Sequence, residues 1–293
     1  MRVTSLNLAR TIASQLATAT SDLIKLQSQI ATGRRILTLS DDPVGSVKTM
    51  QLVADLGEFE IYKSNLTYSK SYVQTTLTSL DQLLNILSRA QEIAVQNRGS
   101  TTSLQIRQSA AVEVKNLFEE IVLLSNVKLG GKYIFGGHDT LNPPFQSDGS
   151  YIGDSGELRI NIGSNSDLKI NMSGDEVFTT GNGGKDIFAA VKALQDALEG
   201  GDSQGIGDSI DKIVTAFDSI NVKIAESGAR LNRIENSRTT LNKFSANTEL
   251  VISDTVDLDM AQAIIDMAAK QNIINGALAT AGRILNLSLV NFL

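Results

Sequence analysis

Four groups of side chains have the types that carry chemistry, and their spacing decides what each is for. His138 stands in Gly136-Gly137-His138-Asp139. A catalytic imidazole needs an orienting carboxylate and a nucleophile or substrate within hydrogen-bond reach. An Asp adjacent in sequence is not that geometry, so His138 is expected in a turn. Gly181-Asn182-Gly183-Gly184-Lys185-Asp186 places an acid where a phosphate loop needs Ser or Thr, and a surface loop is expected. Asp148 to Glu157 is acidic, but a calcium loop needs an oxygen ligand at its fifth position and Glu at its twelfth. Here Ile152 is fifth and Glu157 tenth, which leaves a polar turn. Arg34-Arg35 is the only adjacent basic pair. Nucleic-acid binding needs clustered cations that displace counterions, so this pair reads as a solvated turn.

Composition narrows the classes further. The 293 residues include 26 basic and 32 acidic side chains, a net charge of −6, with no Cys, no Trp, one His and three Pro. Without Cys there is no disulfide, zinc-thiolate site or thiol nucleophile. One His excludes a multi-histidine metal site. No catalytic, cofactor-binding or metal site is expected, and no enzyme activity. An apolar share of 42% suffices for a core. Aromatics make only 5%, which favours helix-on-helix packing of aliphatic side chains, with stability supplied between subunits rather than by one heavy core. No apolar run is long enough to span a membrane. Met1 to Asn7 lacks the apolar stretch of a secretory signal, so if the protein leaves the cell it is expected to use a route that removes no signal peptide.

The elements that position these groups follow from periodicity. Residues 130–207 hold 16 of the 23 glycines and two of the three prolines, so the chain reads helical, then turn-rich, then helical. Ile12, Leu16, Ala19, Leu23, Leu26 and Ile30 are spaced 4-3-4-3-4, a narrow heptad seam. Met260, Ile264, Met267, Gln271, Ile274, Leu278, Ala281 and Leu285 repeat that spacing near the other end. Val73 to Leu87, Ala110 to Leu124 and Ile210 to Ile224 carry further stripes, expected to form a helical core. The outer faces of the first heptad are mostly uncharged: Thr11, Ser14, Gln15, Thr18. Such faces pack without desolvating charge, so both ends are expected to order against other subunits. Asp42 followed by Pro43 reads as a helix N-cap and first turn. Thr102 with Gln105 fits a capping box, and Asp257 is placed to cap the last helix. Glu157 to Ile162 and Asp167 to Met172 alternate polar with apolar, the pattern of a half-exposed antiparallel sheet. Asp186 to Leu198 returns to a helical period. The fold expected is mainly α with a β-rich insert: long antiparallel helices from both chain ends, a helical middle layer and a small antiparallel β domain.

These segments carry a resemblance. Ala31-Thr32-Gly33-Arg34-Arg35-Ile36, followed by Ser40-Asp41-Asp42-Pro43-Val44-Gly45, resembles the N-terminal signature of the flagellin-like axial proteins. Gly33 stands where those proteins break their first helix, and the Asp41-Asp42-Pro43 triplet is similar to the hook-associated branch. Lys132-Tyr133-Ile134-Phe135-Gly136-Gly137, with Pro144-Phe145 downstream, resembles the boundary motif of the hook–filament junction proteins. The tail, Asp257 to Ala261 and Leu287 to Leu293, is similar to that group's C-terminus. The resemblance implies a structural subunit at the junction of hook and filament that templates flagellin, or alternatively a minor or divergent flagellin. It implies a homo-oligomer in a ring-like or helical zone, with an upstream hook-associated junction protein, flagellin and a cytoplasmic export chaperone as partners, and neither nucleic acid nor membrane. Residues 1–42 and 255–293 would form an inner coiled-coil tube. Residues 43–130 and 201–254 would form a helical layer, and 131–200 an outer β-rich domain. The assembly seam expected is Ile12, Leu16, Leu23, Leu26, Ile30, Met260, Ile264, Met267, Ile274, Leu278 and Leu285, with the chaperone on its C-terminal half. A different class, a surface adhesin or glycan binder built on the insert, is disfavoured by its single Tyr151 and lack of Trp.

Overall fold

The computed structural model describes residues 2–99, 102–179 and 186–290, and the backbone alone for 2–6, 8–9 and 283–290. In chain order these form α1 (Arg2–Thr32), α2 (Pro43–Asn97), α3 (Leu104–Ser125), β1 (Lys128–Leu129), β2 (Lys132–Tyr133), β3 (Arg159–Gly163), β4 (Ser166–Lys169), α4 (Gly174–Val177), α5 (Ile187–Gly200), α6 (Ser203–Val256) and α7 (Met260–Val290). The fold is mainly α with small antiparallel sheets. The glycine-poor segments are the long helices, because a helix interior disfavours Gly by about 1 kcal/mol per residue. Contacts divide the chain into two compact units, Met1–Glu58 with Phe244–Leu293, and Phe59–Lys243.

In the first unit α1 packs antiparallel on α7, with Lys270 paired to Asp22 at 2.7 Å. The α1 seam Ile12, Leu16, Ala19, Leu23, Leu26 and Ile30 is the half-buried line of that helix. On α7 the covered line is Ala263, Met267, Lys270, Ile274, Ala277 and Ala281. A two-helix contact covers one narrow stripe on each partner. The apolar residues of α7 occupy more than one stripe, so Met260, Ile264, Ile273 and Leu278 stay exposed.

Capping follows the sequence in part. Asp42 accepts the Gly45 N–H at 2.9 Å and Pro43 opens α2, as its spacing predicts. Asp186 accepts from Ala189 N–H at 2.8 Å ahead of α5. Two expected caps are displaced. Ser103 rather than Thr102 receives the Ile106 N–H, because α3 starts one residue later than the capping-box reading places it. Asp259 rather than Asp257 receives the Gln262 N–H at 3.1 Å. Asp257 pairs instead with Arg34 in an isolated antiparallel bridge.

The second unit has one hydrophobic cluster. Val73, Leu80 and Leu87 of α2, Val114 and Ile121 of α3, and Ile213 and Ile220 of α6 are all buried in it, while Val214 of the predicted α6 stripe stays exposed. α5 lies against α3. Beside these aliphatic layers sits a ring cluster that composition argued against. Phe145 lies 5.0 Å from Tyr151, 5.1 Å from Phe178 and 5.3 Å from Phe188, centroid to centroid. Phe135 meets Phe178 edge-on at 5.1 Å and Phe118 meets Phe188 at 5.4 Å. The few aromatics are therefore concentrated, and the expectation that no heavy core exists is corrected. Edge-to-face pairs of this kind add about 0.5–1.5 kcal/mol each beyond burial. The motif glycines fit here for steric reasons. Gly137 has φ +71, and a Cβ on it would overlap the Asp154 carbonyl; a Cβ on Gly136 would overlap that of Asp139.

The alternating segments form β3 and β4, paired antiparallel with Ile160 opposite Leu168. The β1–β2 pair, two residues per strand, is too short to show a period. Helix side chains fix the β3–β4 hairpin through its backbone: Asn65 donates to the Asn161 carbonyl at 2.8 Å and Arg230 to that of Asn171 at 2.8 Å. Arg107, 6% exposed, closes two helix ends at once. Its guanidinium donates to the Gly99 carbonyl at 2.9 Å, to the Gly201 carbonyl after α5, and to Ser203 Oγ at 2.8 Å. A cation at two helix C-termini complements both dipoles.

Candidate functional site

The signature around Gly33 and Asp41-Asp42-Pro43 builds a latch between the two ends of the first unit. Gly33 ends α1 in the left-handed region, φ +70, a conformation that costs an L-residue with a Cβ about 1–2 kcal/mol. The chain then runs beside residues 255–258. Arg35 N–H donates to the Val256 carbonyl at 2.7 Å and Leu258 N–H to the Gly33 carbonyl at 2.9 Å. The Arg35 guanidinium reaches the Thr255 carbonyl at 2.8 Å and Asp42 at 3.3 Å. Ile36 and Val256 are buried beneath.

The two aspartates divide the work. Asp41 Oδ2 accepts the N–H groups of Leu37 and Thr38, both at 3.0 Å, and Oδ1 lies 2.6 Å from Lys25 Nζ. Asp42 caps α2. The bond from Lys25, followed by those two amides, holds the Asp41 carboxyl well below the usual carboxylate range. The Gly45 amide does the same for Asp42, with Arg35 assisting. A carboxyl depressed in the folded state stabilises fully above its unfolded pKa of about 4 and loses that contribution as pH falls below it. Acidification below about pH 4 is therefore expected to loosen the latch, and Asp41→Asn to remove part of that pH dependence while destabilising the latch at pH 7. Urea unfolding of the two proteins between pH 3 and 7 measures this; parallel pH profiles would contradict it.

Of the predicted seam, Ile12, Leu16, Leu23, Leu26, Ile30, Met267 and Ile274 face the α1–α7 contact, while Met260, Ile264 and Leu278 face outward. The Leu285 side chain and the tail from 291 lie outside the described residues, as does the glycine-rich stretch 181–185. Lys25 and Arg35 are latch residues that sequence reasoning passed over. The Arg34-Arg35 pair was a visible signal, but reading it needs the C-terminal end of α6, 220 residues away. His138 is an exposed turn residue whose Nδ1 lies 3.7 Å from Asp154 Oδ1. Asp148 accepts its own turn's Ser150 N–H at 2.9 Å. Among the described residues no cluster of His, Asp or Glu could hold a metal ion, and no helix is long and apolar enough to cross a membrane.

Residues 3–140 match the bacterial flagellin N-terminal helical region. Flagellar hook-associated protein 3 of Salmonella typhimurium is 23% identical over 303 aligned residues, which cover 96% of each chain. The chain is thus similar from end to end to a flagellar hook-associated protein. The fold agrees: a solved flagellar hook-associated protein from Vibrio parahaemolyticus superimposes with a TM-score of 0.68 at 21% identity, over 74% of this chain and all of that one. The flagellar junction protein FlgL of Legionella pneumophila gives 0.61 at 17% identity, over 72% of this chain and all of that one. The Gly33 to Pro43 side of the latch lies inside the matched region, and its partners at 255–258 lie beyond it. Gly33 makes the turn, Asp41 fastens it, and Asp42 with Pro43 restarts the helix.

Proposed function

We propose that the chain is the structural subunit of the zone between hook and filament, mating on one side with an upstream hook-associated protein and on the other with flagellin. The observation that carries this reading is the end-to-end similarity to hook-associated protein 3, 96% of both chains. In this reading residues 1–42 and 255–293 form an inner coiled-coil tube, 43–130 with 201–254 a helical layer, and 131–200 an outer β-rich domain. The protein leaves the cell through the flagellar export apparatus with a chaperone on its C-terminal seam. The outward apolar residues of α7 support contacts beyond the chain, because exposed Ile and Leu in a row mark surfaces that pack.

Leu278→Asp tests the seam cleanly, since Leu278 is 51% exposed. The monomer is expected to keep its helicity and melting behaviour and to lose assembly. Leu26→Asp, by contrast, also breaks the α1–α7 contact. Normal assembly by the Leu278→Asp protein would remove α7's outer face from the seam. The flagellin match over 3–140 favours a second reading, a minor filament subunit. Immunogold labelling separates the two: label confined to the hook–filament boundary fits the junction, and label along the filament fits the flagellin.

A further inference from the structure

We infer that the 59–243 unit carries a binding groove for a carboxylated saccharide. The groove encloses about 430 Å³, a volume suited to a small ligand. Its floor is apolar: Leu158, Ile160 and Ile170 of the hairpin region, with Tyr72 of α2. Tyr72 is 2% exposed and fixed by its hydroxyl, which donates to the Ile134 carbonyl at 2.6 Å. Tyr68, one helical turn earlier, is 44% exposed on the groove wall, its ring centroid 6.3 Å from that of Tyr72. The insert's own rings pack in the core cluster, and the tyrosines of this groove come instead from α2.

The rim is rich in donors. Among the described residues the Lys132 ammonium and the Tyr68 and Thr140 hydroxyls make no hydrogen bond or ion pair with the protein. The one acid on the rim, Glu157, is paired with Arg159 at 2.9 Å and Lys169 at 3.3 Å, cations that it shares with Asp167 and Glu176, so the unpaired positive charge is that of Lys132. His138 and Arg159 complete the lining. Free donors around an aliphatic and tyrosine floor match a ligand with an apolar C–H face, acceptor oxygens at its edge and a negative charge. A pyranose bearing a carboxylate has all three. An extended peptide fits less well, because the hairpin backbone is already occupied: Leu158 N–H donates to Asn171 Oδ1 at 2.8 Å, the Leu158 carbonyl accepts from Ile170, and the Asn161 carbonyl accepts from Asn65.

Titration calorimetry of the full chain with trigalacturonate, neutral maltotriose and tetraglutamate tests this. Trigalacturonate is expected to bind at least about tenfold tighter than either other probe, a difference of one decade in Kd. Tyr68→Ala and Lys132→Gln should each weaken it about tenfold, Lys132→Arg should restore much of the loss, and Leu141→Ala, outside the groove, should change nothing. Circular dichroism confirms folding of each variant, and Lys132, being exposed, supplies a variant that leaves the core intact. Absence of binding, equal binding of maltotriose, tighter binding of tetraglutamate, or affinity unchanged in both Tyr68→Ala and Lys132→Gln overturns the assignment.

Discussion

Phe145→Ala is expected to destabilise the 59–243 unit by about 3–5 kcal/mol, the range for deleting a buried ring from a core that cannot collapse. Phe145 is 3% exposed and touches three other rings. Its backbone is clamped on both sides by Asn126, whose Oδ1 accepts the Phe145 N–H at 3.0 Å and whose Nδ2 donates to the Phe145 carbonyl at 3.0 Å. The clamp holds the chain in place when the ring is gone, so the cavity stays open. Gly174 lies against the Phe145 and Tyr151 rings with no Cβ to move inward. A typical domain has only about 5–15 kcal/mol of stability, so one substitution consumes much of it. Chemical denaturation of Phe145→Ala beside Leu123→Ala measures the difference. Leu123 is 74% exposed, and its truncation should stay within about 0.5 kcal/mol. Equal, small effects for both would show that the ring cluster is not the centre of this core.

That cluster also shows where sequence reading stops. Its members lie between residues 118 and 188 with no period linking them, so only the tertiary fold reveals that they meet. Helices were legible because their signal is local: Ile12 to Ile30 and Val73 to Leu87 repeat at helical spacing, and the structure covers those lines. Alternation in Glu157 to Ile162 and Asp167 to Met172 marked the β3–β4 hairpin for the same reason. The α7 stripe was legible as apolar but not as divided, because which face meets α1 depends on the register with another helix. Cap positions slipped by one residue at Ser103 and two at Asp259, since Ser, Thr and Asp near a helix start all have capping side chains. At the latch, Asp42 and Pro43 were readable as a helix start. The roles of Lys25 and Arg35 were not, because their partners are Asp41, Thr255 and Val256, brought close by the return of the chain.

The second large effect concerns assembly. A protein that joins hook to filament by mating with an upstream hook-associated protein and with flagellin is needed in few copies but at a fixed place. Its loss removes the surface on which flagellin nucleates, not merely some of the filament. A minor flagellin differs: its loss thins or shortens filaments that still start normally. The exposed apolar residues of α7 and the latch that fastens the two chain ends are features that either role uses, so the location of the defect decides between them. Deleting the gene and examining the cells by electron microscopy, with flagellin assayed in the medium, is the most direct measurement. Bare hooks together with flagellin spilled into the medium are the predicted result, restored by the intact gene. Filaments of normal number and length on the deleted strain would contradict the junction role.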